Sequence, residues 1–495
     1  MRKLLLGAIL LTATFSVHGQ SADYFFVSPT SKAAVAPTGP VSAGALAAML
    51  GEDYPRFSID TYAGQNNALK QASIRPELQV AVGAMLDWAD TPIFDQPTLR
   101  NGVYHWRANI QSVDATALRL KIDLSGLRPD DTVWVIDTHA NRAFGPYTLA
   151  DTESNGRWLA TTMGDNAVLW VCTAEASPPD VTVLALSHHY ESMVPKQTNP
   201  CPIPADCITN TALTQVSTGI GLLSITHENG AAFSCSGALI NNANTETLEA
   251  YFLTADHCFN GSDSTIFASA LEVVWDFRAD GCDGADPAPS LLPRSTGSAF
   301  LANSTTLDGV LLQLDSVPVD TRGRAYIGWD TRVPVVGESV VGLHHPSGTA
   351  MKESIGTVNQ INVSDSTGQN KTELSWSEGL TEQGSSGSPS MFNDDNFRIF
   401  GMLSTGNQQF CNSSAARLDQ YSNFREFFNQ MGGFLVDVTP PSAGTSTYSQ
   451  NNAGAQTLTG CLQDAANSSV NAGDLLVAGL ALMTMAAWRG FRARP

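Results

Sequence analysis

Charge is scarce in this chain of 495 residues: Asp, Glu, Lys and Arg make up only 15% of it, with 27 basic against 47 acidic residues. Basic clusters are few and the net charge is −20, which sets nucleic acid aside as a partner, since phosphate contacts begin with a basic face. The acidity itself is ordinary for an exported protein. Long helical periodicity is also scarce, so no helical architecture is expected. The apolar stretches Leu4–Val17 and Leu475–Trp488 both fall short of the roughly 20 residues a helical bilayer span needs. Metal-ligand spacing is missing too. His105, His139, His188 and His189 have no matching partners, and the His344-His345-Pro346 turn lacks a third ligand. No metal and no organic cofactor is implied.

Glycine (41) and proline (25) are plentiful instead, and short apolar runs alternate with Gly, Asn, Asp and Ser. That pattern reads as mostly β, and the length implies two or three domains. Strand-like runs at 117–123, 132–137, 167–171 and 181–186 make residues 20–196 a β-sandwich-like region, with one helical piece at Glu77–Trp88. The stretch Val194-Pro-Lys-Gln-Thr-Asn-Pro200 marks a linker. A second β domain spans 200–437 and closes with a helix at Asn423–Met431; a flexible linker follows at 438–470.

Arg2 and Lys3 precede the first apolar stretch and small Gly19 follows it, the pattern of a cleaved signal peptide over 1–19. Export makes disulfides expected among the eight cysteines. At the other end, 471–495 carries the second apolar stretch and then Arg489, Arg492 and Arg494. The segment resembles a bacterial C-terminal sorting signal, which implies transient attachment to the inner membrane and a secreted or cell-envelope location; a terminal helix docked on the β domain is the alternative. Gly460-Cys461 stands just upstream. A monomer is expected.

Three residues appear in chain order in distinctive settings: His257 in Leu253-Thr-Ala-Asp-His-Cys258, Asp308 before Gly309-Val-Leu-Leu, and Ser386 in Gly384-Ser-Ser-Gly-Ser-Pro389. A serine hydroxyl is a weak nucleophile at neutral pH. It needs a base in hydrogen-bond reach, and the base needs a partner that fixes its tautomer. His257 and Asp308 supply those roles for Ser386, and the flanking glycines let the amides of Gly384 and Ser386 converge on a developing oxyanion.

Residues 200–430 resemble the chymotrypsin-like serine proteases, and among them the bacterial lysyl endopeptidases. The resemblance rests on Cys235-Ser-Gly-Ala-Leu-Ile-Asn-Asn242, Tyr251-Phe-Leu-Thr-Ala-Asp-His-Cys258, Val274-Trp-Asp-Phe-Arg278, Leu343-His-His-Pro346 and Thr381-Glu-Gln-Gly-Ser-Ser-Gly-Ser-Pro389. It implies two six-stranded antiparallel β-barrels with the triad in the cleft between them. It also implies the bridges Cys201–Cys411, Cys207–Cys282 and Cys235–Cys258, and protein or peptide substrates. In trypsin-type zymogens an Asp directly before the catalytic serine pairs with a newly freed N-terminus; Ser385 stands there in this chain. The oxyanion loop is therefore expected to be ordered by another device, such as the disulfide-anchored N-terminal segment. Residues 20–196 read as a propeptide that aids folding or blocks the cleft, cut after Lys196, or as a permanently attached accessory domain.

Trypsin's pocket Asp is replaced by Leu380. Lysyl endopeptidases bring an Asp from a later strand in an Asp-Gln-Tyr context, which is Asp419-Gln-Tyr421 here. The resemblance thus implies cleavage after Lys; a surface turn is the other reading of Asp419. Two residues depart from the family. Its pocket-flanking histidine is Ser404, and its stacking tryptophan has no clear counterpart before Trp376. Ser404 and Gly406 are expected to offer backbone hydrogen bonds to an extended substrate. Asp256 is expected at the surface. The function implied is a secreted serine endopeptidase acting through an acyl-enzyme. The alternatives are glutamyl or other specificity on the same fold, or a surface binding module without turnover.

Overall fold

The computed structural model describes residues 20–28 and 55–436, apart from 73–77, 89, 90, 95, 192–200, 244–247, 260–267, 280, 283, 320, 321, 365–368 and 408–415. The expected signal peptide, Lys196, Cys411, Cys461, the 438–470 linker and the 471–495 segment lie outside the described residues.

Two rings of antiparallel strands form between residues 220 and 423. The first runs Ile220–Thr226, Ala232–Leu239, Tyr251–Thr254, Gly309–Leu314 and Ser298–Ser304. The chain bends at Gly297, so that Arg294–Thr296 pairs with Leu271–Trp275, which returns to Ile220–Thr226. The second runs Ser339–His344, Lys352–Ser364, Asn370–Glu378, Leu418–Asn423, Ile399–Gly406 and Pro389–Phe392, which pairs back to the first of these. This is the chymotrypsin-like all-β architecture. Strand alternation explains the unbroken apolar runs. Leu271, Val273 and Trp275, with Val310, Leu312 and Leu314, fill the first barrel. Their neighbours Leu253 and Leu311 face the other way and join Val341, Leu343, Met391, Ile399 and Met402 of the second barrel in one core. A strand sandwiched between its own barrel and the next has no wet face, so both sets of alternate side chains are apolar.

The terminal helix extends from Phe424 to Val436, longer than the expected Asn423–Met431. It buries Phe424, Phe427, Phe428, Met431 and Leu435, an i, i+3, i+4, i+7 stripe, against the inter-barrel core.

In the N-terminal region, Arg56–Ile59, Thr98–Arg100, Val103–Ser112, Asn166–Thr173, Thr132–Asp137 and Arg142–Tyr147 form one sheet. A second sheet contains Ala117–Gly126, Asp180–His189 and Leu78–Met85, and one apolar core with Trp106, Ile110, Leu120, Ile122, Leu169 and Val183 lies between the two. The expected helix at Glu77–Trp88 is thus a strand over Leu78–Met85. β-Branched Val80 and Val82 fit it, but tertiary pairing decides it. One edge bonds Asp180–His189, while the other bonds Ala232–Ser234 of the first barrel, Leu78 opposite Ser234.

The two regions also share buried charge. Arg119 donates to Thr226 Oγ1 at 2.9 Å and to the Ala270 carbonyl at 2.6 Å, and Thr161 Oγ1 donates to Glu272 Oε2 at 2.6 Å. Burial raises the Glu272 carboxyl, but Arg294 and Arg119 outweigh it and leave it lowered. The arm Ser21–Val27 adds strands to Trp329–Asp330 and Arg324–Tyr326 in the inter-barrel connection.

Candidate active site

His257 sits in the single 3-10 turn Asp256–Phe259, directly after the strand Tyr251–Thr254. The Cys235–Cys258 bridge ties that turn to the neighbouring strand. Asp308 occupies the turn before Gly309–Leu314 with φ of 49°, a left-handed conformation that Asp tolerates better than most side chains. Its Oδ1 accepts the His257 backbone N–H at 2.9 Å and its Oδ2 accepts His257 Nδ1–H at 2.8 Å. Ser404 Oγ–H reaches the same Oδ2 from the second barrel at 2.6 Å. Burial pushes the Asp308 carboxyl up, but His257, by charge and hydrogen bonds, and Ser404 overcome this and hold it below its usual value. The carboxylate links the two barrels and fixes both the ring's position and which nitrogen carries its proton. A backbone role was all that sequence reasoning assigned to Ser404; its hydroxyl contact joins residues far apart in the chain.

Ser386 lies on a turn that the glycines permit. Gly384 and Gly387 have φ of 88° and 78°, where side chains are strained. A Cβ at Gly387 would stand 2.1 Å from Thr254 Oγ1 and 2.7 Å from Ala255 N, so only glycine lets this turn lodge beside the histidine's own segment. The Ser386 carbonyl accepts the Ser236 amide at 2.8 Å. Neighbouring amides are occupied: Ser385 N donates to Glu382 O at 2.9 Å and Gly387 N to Leu403 O at 2.9 Å. Among the described residues the amides of Gly384 and Ser386 make no such bond.

Asp419 is buried, 3% exposed, not on a surface turn. Its Oδ2 accepts Trp376 Nε1–H at 2.5 Å and Thr381 Oγ1–H at 2.7 Å. A Cβ at Gly406 would stand 2.2 Å from Oδ1, so glycine keeps the approach to that oxygen open. Burial raises the Asp419 carboxyl to about 6, against the lowering effect of Thr381 and Trp376. Trp376 is therefore a hydrogen-bond partner of Asp419, a contact that spacing along the chain does not reveal. Leu380 is buried beside Thr381 in sequence, with 2% exposure.

Some expectations change. Asp256 is buried, accepting Asn303 Nδ2–H at 2.8 Å, where a surface position was expected; the turn that carries His257 directs it inward. His344 and His345 are both fully buried. Cys235, His257 and Cys258 place ligand-type atoms within 4.8 Å of one another, but the two sulfurs are bonded to each other and offer no thiolate to a metal. Cys207 bonds Cys282, and Cys201 is disulfide-bonded as well, while Cys411 lies outside the described residues. No helix of the described residues is long and apolar enough to cross a membrane.

Residues 196–422 match the model of the family described as lysyl endopeptidase, C-terminal domain. A lysyl endopeptidase of Pseudomonas aeruginosa is 25% identical over 383 residues, covering 73% of this chain and 79% of that protein. Among solved structures, a thermostable serine protease AL20 from an extremophilic microorganism aligns with TM-score 0.32 at 14% identity, over 45% of this chain and 99% of that one. The Rv3671c protease of M. tuberculosis, in its active form, aligns with TM-score 0.32 at 13% identity, over 51% and 94%.

Proposed function

With residues 196–422 a chymotrypsin-like serine endopeptidase domain similar to the lysyl endopeptidases, we propose that this enzyme cleaves after lysine and is made as an exported precursor whose N-terminal domain covers the cleft. Ser386 Oγ attacks the scissile carbonyl carbon as His257 Nε2 takes its proton. Asp308 holds the imidazole and the positive charge it gains, and the amides of Gly384 and Ser386 hold the oxyanion. Collapse expels the amine with the proton from His257, and water then hydrolyses the acyl-enzyme by the same base.

The lysine reading is carried by the buried Asp419, whose Oδ2 is bonded twice and whose Oδ1 faces the gap at Gly406. A lysine ammonium entering there replaces its lost water with a carboxylate. Glutamyl specificity would set a second carboxylate against the first. The processed enzyme, incubated with a peptide library and read by mass spectrometry, is expected to cut after lysine, with all cuts lost in Ser386→Ala. Cuts that persist in that variant sink the nucleophile assignment; cuts after other residues sink the pocket.

Support for the covering role comes from the Leu78–Met85 strand, which bonds Ala232–Ser234 beside the Cys235–Cys258 bridge. Leu78 Cδ2 lies 3.1 Å from where a Cβ of Gly384 would stand. In this reading the strand occupies the barrel edge next to the Gly384 loop, where an added strand of substrate would otherwise pair. Gly83 gives the test, since a Cβ there would fall 1.7 Å from Asn229 O of the protease domain. Gly83→Val in the unprocessed chain is expected to raise hydrolysis of an internally quenched lysyl peptide at least tenfold over the unprocessed parent. Equal rates in the two would count against a blocking domain and favour a permanent accessory one. The signal peptide at 1–19 and the sorting segment at 471–495 belong to the same proposal; the disulfides Cys207–Cys282 and Cys235–Cys258 support its export step.

A further inference from the structure

The residue before the nucleophile is Ser385, so the ion pair that orders the oxyanion loop in trypsin-type enzymes has no acid here. The structure contains another device. Ser385 is fully buried, and its Oγ accepts the Glu382 backbone N–H at 3.2 Å, across the base of the loop that presents Gly384 and Ser386. The same Oγ lies 2.8 Å from His344 Nδ1, and His344 Nε2 lies 3.0 Å from Ser354 Oγ on the adjacent strand. His344 is the last residue of Ser339–His344, paired on both sides within the second barrel. The next residue extends the same grip: His345 N–H donates to Ser236 Oγ at 2.9 Å, and Ser236 Oγ–H donates to the Gly384 carbonyl at 2.8 Å. The loop is thus held on one side through Ser385 and on the other through Gly384, each by a residue of the His-His pair.

We infer that His344 is the positioning residue of the oxyanion loop, holding Ser385 so that the Gly384 and Ser386 amides stay aimed at the cleft without any new N-terminus. The inference rests on the serine endopeptidase reading. The groups facing the imidazole are the two serine hydroxyls, and His345 and Lys352 are the charged or titratable groups that act on it. Burial first, then those two, depress the imidazole to about 3. The ring is therefore neutral wherever His257 is a working base, and it offers one donor and one acceptor to two hydroxyls that can do either. A hydrogen-bonded neutral clamp needs no counter-ion and is insensitive to N-terminal processing. This differs from the expectation that the N-terminal segment orders the loop.

The test uses enzyme matured from the full chain, with active sites counted by fluorophosphonate titration. Loss of parent activity in Ser386→Ala checks the underlying reading separately. Ser385→Ala and His344→Phe are each expected to lower kcat roughly 10- to 100-fold, less than the roughly 100- to 1,000-fold that removal of a whole oxyanion-hole donor costs, because the amides remain but are less well aimed. KM should change less than about threefold, and affinity for a lysyl peptide aldehyde should fall in parallel with kcat, because both report the tetrahedral state. The double variant should be no worse than either single one, as expected when two residues act as a unit. His344→Asn, which retains a polar atom near the Nδ1 position, should recover part of kcat. Parent-like kcat and aldehyde affinity in Ser385→Ala overturn the inference. So do effects that multiply in the double variant, since that outcome makes His344 a merely structural residue. If His344→Phe does not fold, Ser385→Ala alone decides, because it removes one hydroxyl and leaves the imidazole in place.

Discussion

In an Asp308→Asn variant kcat is expected to fall by about 10⁴-fold with KM little changed, as when such a carboxylate is neutralised in a related triad. The reason is a count of donors. Three donors converge on Asp308: the His257 amide, His257 Nδ1–H and the Ser404 hydroxyl. An amide side chain has one oxygen for them and brings an NH₂ of its own. With that NH₂ against Nδ1, the ring must carry its proton on Nε2, and the lone pair that Ser386 needs is gone. Because all of these contacts lie around the ring, substrate binding should hold while chemistry fails. Single-turnover acylation with a lysyl ester would show this, the acyl-enzyme burst slowing in step with kcat. Near-parent acylation would mean that His257 is oriented without Asp308.

The second large effect lies in the pocket. For a lysyl substrate, Asp419→Asn is expected to reduce kcat/KM by about 3–5 kcal/mol, roughly 150- to 5,000-fold, the range measured when one member of a buried charge pair is removed. A norleucyl substrate of similar length, which offers no ammonium, should change by less than about threefold. The ratio of the two substrates also carries a pH signature. Burial raises the free Asp419 carboxyl to about 6, so it is neutral below that pH and a carboxylate above it. The lysyl-to-norleucyl ratio of kcat/KM should therefore climb as pH rises through about 6, and stay flat in Asp419→Asn. Dividing one substrate by the other cancels the His257 limb, which both share, and kcat/KM reports the free enzyme, where the raised value applies. The same shift has a sign for stability. The folded protein holds this proton above the ordinary 3.8, so the Asp419 contribution to stability declines as pH rises from about 4 to about 6. A flat parent ratio, or one that falls with pH, would remove Asp419 from lysine recognition.

Much of the fold was legible because strand periodicity survives in short windows. The runs at 132–137 and 181–186 reappear as the strands Thr132–Asp137 and Asp180–His189. The residues around His257 and Ser386 were legible for a different reason: a tight turn bearing a functional side chain restricts its own neighbours, as Gly384 and Gly387 illustrate with their left-handed backbones. Leu78–Met85 was misread as helix because Leu, Ala, Gln and Met suit helices, and the two strand edges that capture it lie about 100 and 150 residues further along the chain. Asp256 was misread because a charged residue in a turn is usually exposed; its partner Asn303 comes from another hairpin.

The sequence by itself determined which groups are on hand: an imidazole, a carboxylate and a serine hydroxyl in order, glycines where the backbone must turn left, and apolar alternation for the barrels. These are local requirements, and local residues meet them. The tertiary structure decided what holds each of those groups. Ser404 braces Asp308 across the cleft, Trp376 and Thr381 bond Asp419, His344 clamps Ser385, and a strand of the N-terminal domain lies on the barrel edge. Each is a contact between residues far apart in the chain, or between the faces of neighbouring strands, and no periodicity records which two faces meet until the barrels close.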